Sequence, residues 1–91
     1  MTMIQIQHLS GEDYQVEVTQ EETTTTHRVA VPAAFLDLVG LGDRPPQAVL
    51  LESFDFLLKR EPNTSILPEF ALDDIATYFP EYPEAIRKRF R

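Results

Sequence analysis

Alternating apolar and polar residues dominate the first third of the chain and predict β-strands. Apolar side chains alternate with polar ones in the runs 3–9 and 14–19. A third run, 24–31, is rich in β-branched residues, which favour strands. The Ser-Gly-Glu-Asp sequence between the first two runs is typical of a turn. We therefore expect a three-stranded antiparallel meander over about residues 3–31.

After Pro32 the apolar residues follow a helical spacing. A short helix, with an apolar face that includes Leu38, is expected to start near Pro32 and to end at Gly40, where glycine suits a left-handed backbone. A longer helix is predicted from Pro46 to about residue 60. Its expected core face comprises Leu50, Leu51, Phe54, Leu57 and Leu58.

Val49 and Phe56 form a second, narrower apolar stripe on the same predicted helix, about 120° from the centre of the first. Two interpretations are open. If the C-terminal segments cover this stripe, it belongs to the core. If it is exposed, its aromatic and aliphatic side chains are typical of an interface with another protein.

Prolines divide the rest of the chain into short elements. Pro62 is expected to end the main helix, after which Ile66 and Leu67 should hold the chain to the core. A third helix is predicted near residues 72–79 with Asp73 as its N-cap, and a last helix is predicted to begin near Pro83. The fold class is thus α+β in one domain over 1–91, with a sheet over about 3–31 and a helical part over about 32–91.

Length and composition agree with one small domain. The chain has 91 residues, of which 43% are hydrophobic, and it contains no cysteine. The lack of cysteine fits a reducing compartment. No basic segment followed by an apolar run marks a secretory signal, and no apolar stretch approaches the roughly 20 residues that a membrane helix needs. We expect a cytoplasmic protein.

Charge is distributed unevenly. The formal net charge is −7, which disfavours nucleic acid as a partner, yet four of the eight basic residues are Arg87, Lys88, Arg89 and Arg91. This basic tail, residues 87–91, can complement a helix dipole or fold back onto the acidic body. The third interpretation is contact with nucleic acid, because basic side chains interleaved with an aromatic residue are typical of such contacts.

Residues for catalysis are scarce. His8 and His27 are the only imidazoles, and neither belongs to a catalytic triad or to a His-x-x-x-His metal motif. The two could face one another on the sheet, but a metal site would still need carboxylates beside them. With three glycines in the chain, no phosphate-binding loop is predicted. We expect no enzyme activity, no cofactor and no bound metal.

The segment from Phe54 to Tyr82 resembles the C-terminal part of a group of small uncharacterised bacterial proteins. The similarity lies in an F-L-L-x-R-E-P-x-x-S-I-L sequence, which begins here at Phe56, and in the later Y-F-P-E-Y sequence, which ends at Tyr82. It covers about a third of the chain. The resemblance implies a bacterial cytosolic protein and implies no activity, ligand or catalytic residue.

These features favour a non-catalytic protein interaction or regulatory module, with self-association as a homodimer among its forms. The alternative is a small, antitoxin-like regulator that contacts nucleic acid through its basic tail. The sequence specifies no small-molecule ligand. The predicted interaction surface comprises Val49, Phe56, Arg87, Lys88, Arg89 and Arg91.

Overall fold

A mixed four-stranded sheet forms one layer of the fold in the computed structural model, which describes residues 1–91. The strands lie in the order β1-β2-β3-β4. The first three pair antiparallel, whereas β4 pairs parallel to β3. Their bounds are β1 Thr2–Ser10, β2 Asp13–Gln20, β3 Thr23–Ala30 and β4 Glu69–Ala71.

The α+β class is confirmed, but the predicted three-stranded antiparallel sheet is wrong. The fourth strand lies within the part of the chain predicted to be helical, so strands and helices do not follow one another in two separate blocks. Only three residues form β4, too few for an alternating pattern to be visible. Its position depends on a tertiary contact, since the backbone N–H of Arg28 donates to the Pro68 carbonyl at 2.8 Å.

Four helices cover the sheet and complete the fold. Two 3-10 turns, at Asn63–Ser65 and Leu72–Asp74, connect them to the strands. Gly40 follows α1 with φ of +76°, the left-handed conformation that the sequence predicts. No helix combines the length and the apolar character that crossing a bilayer requires. The helices are α1 Ala33–Leu38, α2 Pro46–Leu58, α3 Ile75–Tyr78 and α4 Tyr82–Lys88.

The core lies between the sheet and α2, and some predicted core positions are wrong. Leu51 is 42% exposed and Leu38 is 78% exposed, whereas Leu36 is buried in place of Leu38. Leu67 is exposed as well, although Ile66 beside it is buried. The fully buried side chains include Val16, Val18, Val29, Val49, Leu50, Phe54, Leu72, Tyr82 and Ile86.

A buried hydrogen-bonded pair joins α2 to α4. The Ser53 hydroxyl donates to the Val49 carbonyl at 2.7 Å, so its oxygen accepts from the Tyr82 hydroxyl at 2.6 Å. Both side chains are fully buried. Burial raises the pKa of the Tyr82 phenol, which therefore stays protonated and donates this bond. The polar groups of the pair are satisfied within the core.

The predicted N-cap of the third helix is also wrong. A 3-10 turn at Leu72–Asp74 precedes α3, and it is the Asp74 carboxylate that accepts a hydrogen bond, from the backbone N–H of Ala71 at 3.0 Å. Asp73 is exposed. Ala71 is the N-cap position of this 3-10 turn and Asp74 is its third residue, so the bond runs from Asp74 back to the cap, and Asp73 caps neither the turn nor α3.

Candidate functional site

An apolar cleft of about 290 Å³ opens between the end of α2, strand β4 and helix α3. Seven of its ten lining residues are hydrophobic. Two of them are largely open to solvent, since Leu67 is 47% exposed and Tyr78 is 65% exposed. The apolar lining consists of Leu57, Ile66, Leu67, Phe70, Ile75, Tyr78 and Phe79.

Asn63 holds one wall of the cleft against the sheet. Its side-chain amide donates to the carbonyls of Val18 and Thr23, both at 3.2 Å. Its backbone N–H donates to the side-chain oxygen of Gln20 at 2.8 Å. Asn63 is 2% exposed, so these bonds are shielded from water. They fix the start of the segment that carries Ile66 and Leu67 into the cleft.

His27 fixes the same wall from the interior of the sheet. Its Nδ1 lies 2.7 Å from the Leu67 carbonyl, which can only accept, so Nδ1 carries the proton and donates. In the neutral ring Nε2 then accepts from the Thr25 hydroxyl at 2.8 Å. The ring packs 5.6 Å from that of Phe54. His27 therefore positions the backbone of Leu67, and the Leu67 side chain faces solvent.

Carboxylates supply the charge of the cleft. Glu61 and Asp74 line it together with the hydroxyl of Ser65, and no lysine or arginine lines it. Neither carboxylate takes part in an ion pair. The cleft thus combines apolar walls with two unneutralised negative groups, an arrangement suited to holding an apolar side chain next to a cation.

The structure removes Val49 and Phe56 from the predicted interaction surface. Val49 is fully buried and Phe56 is 1% exposed. The Phe56 ring packs against Phe79 at 5.9 Å and Tyr82 at 5.3 Å, so the C-terminal helices cover it. This second stripe of α2 is core because residues 72–91 fold over it.

The basic tail folds back onto acidic residues of the body. Arg89 donates to the carboxylates of Glu52 at 2.9 Å and Asp55 at 2.7 Å, and its side chain is 22% exposed. Arg87 donates to the Val39 carbonyl at 3.1 Å and also pairs with Glu84. The inward-facing cations are therefore occupied by contacts within the chain.

The remaining two cations of the tail are more open. Arg91 lies 3.9 Å from Glu84, and its side chain is 65% exposed. Lys88 is exposed and takes part in no ion pair. The structure thus does not gather the four predicted tail residues into one free basic surface.

Replacing Arg89 with methionine is expected to lower the free energy of unfolding at neutral pH by less than about 1 kcal/mol, since Asp55 is 48% exposed and solvent screens the pair. The loss should shrink in acid. The Arg89 hydrogen bond lowers the pKa of Asp55 in the folded protein, so the pair stabilises the fold above the unfolded pKa of that carboxyl and stops doing so as pH falls through the folded value. Urea midpoints measured across pH check this.

Lys88→Met is the matched control, because it removes a cation of the same helix end that has no acidic partner. Its urea midpoint should follow the wild type at every pH. An Arg89→Met loss that stays constant down to the lowest pH would contradict the assignment of Asp55 as the titrating partner.

The two histidines do not face one another. His8 lies on β1 and His27 on β3, with β2 between them. The His8 ring stacks on Tyr14 at 4.6 Å and bonds to the Gly11 carbonyl at 2.8 Å. No group of three or more histidine and carboxylate side chains is brought together in the arrangement a metal ion needs.

The cleft was not predicted from the sequence. Leu67 was expected in the core, and Phe70 and Tyr78 were not singled out. The available signal was the segment ILPEF, in which the apolar Ile66 and Leu67 precede Pro68 and Glu69 and the apolar Phe70 follows them.

Comparison with known proteins gives no independent guide to this cleft. No family model, curated protein or solved structure matches the chain.

Proposed function

We propose that the protein is a non-catalytic interaction module of the bacterial cytosol and that its cleft binds a segment of another protein in which apolar side chains lie beside a lysine or arginine. The observation that supports this most directly is the exposure of Leu67 and Tyr78 at the mouth of an apolar cleft. Exposed apolar surfaces bordered by polar groups are typical of protein interaction sites.

Charge supports the choice of partner. Glu61 and Asp74 are the charged groups of the cleft, and the whole chain carries a net charge of −7. A basic segment is therefore attracted from a distance and paired at the cleft, whereas an acidic one is repelled. The apolar walls would contribute most of the affinity and the carboxylates most of the selectivity.

The nucleic-acid alternative has weaker support. It depends on a free basic tail, and Arg87 and Arg89 are already bonded to carboxylates of the body. A phosphate backbone would have to displace these partners while approaching an acidic protein. Among the cations of the tail, only Lys88 lacks an ion pair.

Selection from a library of short random peptides tests the proposal. Enriched peptides should carry two or more large apolar residues together with lysine or arginine. Leu67→Ser should weaken their binding about tenfold or more, because truncating a central apolar contact removes much of the binding free energy. Isothermal titration calorimetry with a synthetic copy of the selected peptide measures the change in Kd.

Leu38→Ser is the matched control, since Leu38 is also an exposed leucine and lies outside the cleft. It should leave peptide affinity unchanged. Glu61→Gln should lower the affinity and reduce its dependence on salt. Enriched peptides that bind wild type and Leu67→Ser equally, or that are acidic, would contradict the proposal.

A further inference from the structure

Strand β1 is an open edge of the sheet without the usual protection. It spans Thr2–Ser10, nine residues, and contains no charged residue and no proline. Edge strands of monomeric proteins are generally short, charged, interrupted by proline or covered. The opposite edge strand, β4, follows this rule, because it has three residues, begins with Glu69 and is preceded by Pro68.

The backbone of β1 presents a regular row of unpaired groups to this edge. Glu21 N–H donates to the Met1 carbonyl, and Val31 N–H donates to the Glu12 carbonyl on the far side of β2. In an antiparallel ladder the backbone groups of successive residues point alternately to the two neighbouring sides. These two bonds therefore show that the N–H and C=O groups of the odd-numbered residues of β1 point towards β2. The even-numbered residues, Thr2, Ile4, Ile6 and His8, therefore direct their N–H and C=O groups outwards.

The sequence of β1 reads almost the same in both directions about Ile6. Reversal places Gln5 on Gln7, the large apolar Met3 on Leu9, and the hydroxyl residue Thr2 on Ser10. Only Ile4 and His8 exchange unlike types. A twofold axis perpendicular to the strand at Ile6 places each residue opposite its mirror position in the other copy, so in this strand glutamine would meet glutamine and apolar Met3 would meet apolar Leu9.

We propose that the protein forms a twofold-symmetric dimer in which two β1 strands pair antiparallel with the axis at Ile6. The outward-facing N–H and C=O groups of Ile6 bond to those of its copy, and Ile4 exchanges bonds with His8 of the second copy. Four strands from each copy then form one continuous sheet. A register shift between His8 and Ser10 lies beyond these central pairs.

A second copy fits this edge because the mirror pattern of β1 brings like residues together, and charge does not oppose the pairing there. Two chains of net charge −7 repel one another over most of their surfaces, whereas along β1 no like charges meet. Pairing would also cover Ile4 and Ile6, which the monomer leaves only partly buried at the border of its core.

The dimer leaves the cleft beside β4 free, since β1 and β4 are opposite edges of the sheet. Each dimer would thus present two clefts at the two ends of the continuous sheet. The inference does not depend on the function proposed for the cleft, and each can fail without the other.

Sedimentation equilibrium on the full chain tests the dimer. The wild type should approach twice the chain mass of 10.4 kDa as its concentration rises. In the double variant Gln5→Lys/Gln7→Lys, two pairs of lysines meet across the axis, and Kd should rise about tenfold or more. Both glutamines are exposed, so at concentrations where the wild type is monomeric the variant should melt like it. Thr24→Lys/Thr26→Lys, which adds the same charge to exposed positions of β3, with β2 between them and β1, should leave Kd nearly unchanged.

The charge-paired variant Gln5→Lys/Gln7→Glu tests the register. Only with the axis at Ile6 does each introduced lysine face an introduced glutamate, so this variant should dimerise at least as well as the wild type. A wild type that remains monomeric at all concentrations, or a doubly lysine-substituted variant that dimerises normally, would overturn the proposal. Loss of the dimer in the charge-paired variant would overturn the Ile6 axis.

Discussion

Replacing Phe54 with alanine is expected to lower the free energy of unfolding by about 3–5 kcal/mol, which is a large fraction of the stability of a domain of this size. The side chain is fully buried, with its ring 5.6 Å from that of His27 and 6.0 Å from that of Phe70. Alanine would leave a cavity between α2 and the sheet. Chemical denaturation followed by circular dichroism measures the loss.

Leu51→Ala is the control on the same helix. The two residues share the predicted core face, but the 42% exposure of Leu51 means that its truncation should cost less than about 1 kcal/mol. Equal losses for the two variants would show that the helix is rotated relative to the observed burial. A Phe54→Ala protein as stable as the wild type would contradict the packing of α2 against the sheet.

The buried face of α2, which differs from the predicted one, illustrates what the sequence could and could not predict. The element itself was predicted within two residues at its C-terminal end. The predicted face was displaced because Ser53, a polar residue, separates the leucine stripe from Val49 and Phe56 in the sequence pattern. In the structure Ser53 is buried and bonded to Tyr82. Val49 and Phe56 therefore share one buried arc of about 160° with Leu50, Phe54 and Leu57, and Leu51 and Leu58 lie outside it.

The cleft could not be predicted for a related reason. Its walls depend on the parallel pairing of β4 with β3. They also depend on the hydrogen bonds from His27 to Leu67 and from Asn63 to Thr23, each of which joins residues 40 positions apart in the sequence. Local periodicity carries no information about such pairings. The 3-10 turn at Asn63–Ser65 depends on the same kind of contact, because Asn63 points inwards from it to join two strands.

The segment from Phe54 to Tyr82 packs against itself in the structure. Its two halves contact each other, since Phe56 packs on Phe79 and Tyr82, and Arg60 lies 3.5 Å from Glu81. The guanidinium of Arg60 also lies 3.5 Å from the centre of the Phe56 ring. These contacts hold the C-terminal helices on α2.

Replacing Phe56 with alanine is therefore expected to destabilise the monomer by about 3–5 kcal/mol, nearly as much as the change at Phe54. The ring joins α2 to the C-terminal helices through Phe79 and Tyr82, and its loss leaves the Arg60 guanidinium without an aromatic partner. Phe56→Leu, which keeps most of the apolar volume, should lose less. Denaturant midpoints for both variants, read beside sedimentation mass, check this. A Phe56→Ala protein with a near-wild-type midpoint and weakened self-association would instead place Phe56 at an interface, the alternative that its burial argues against.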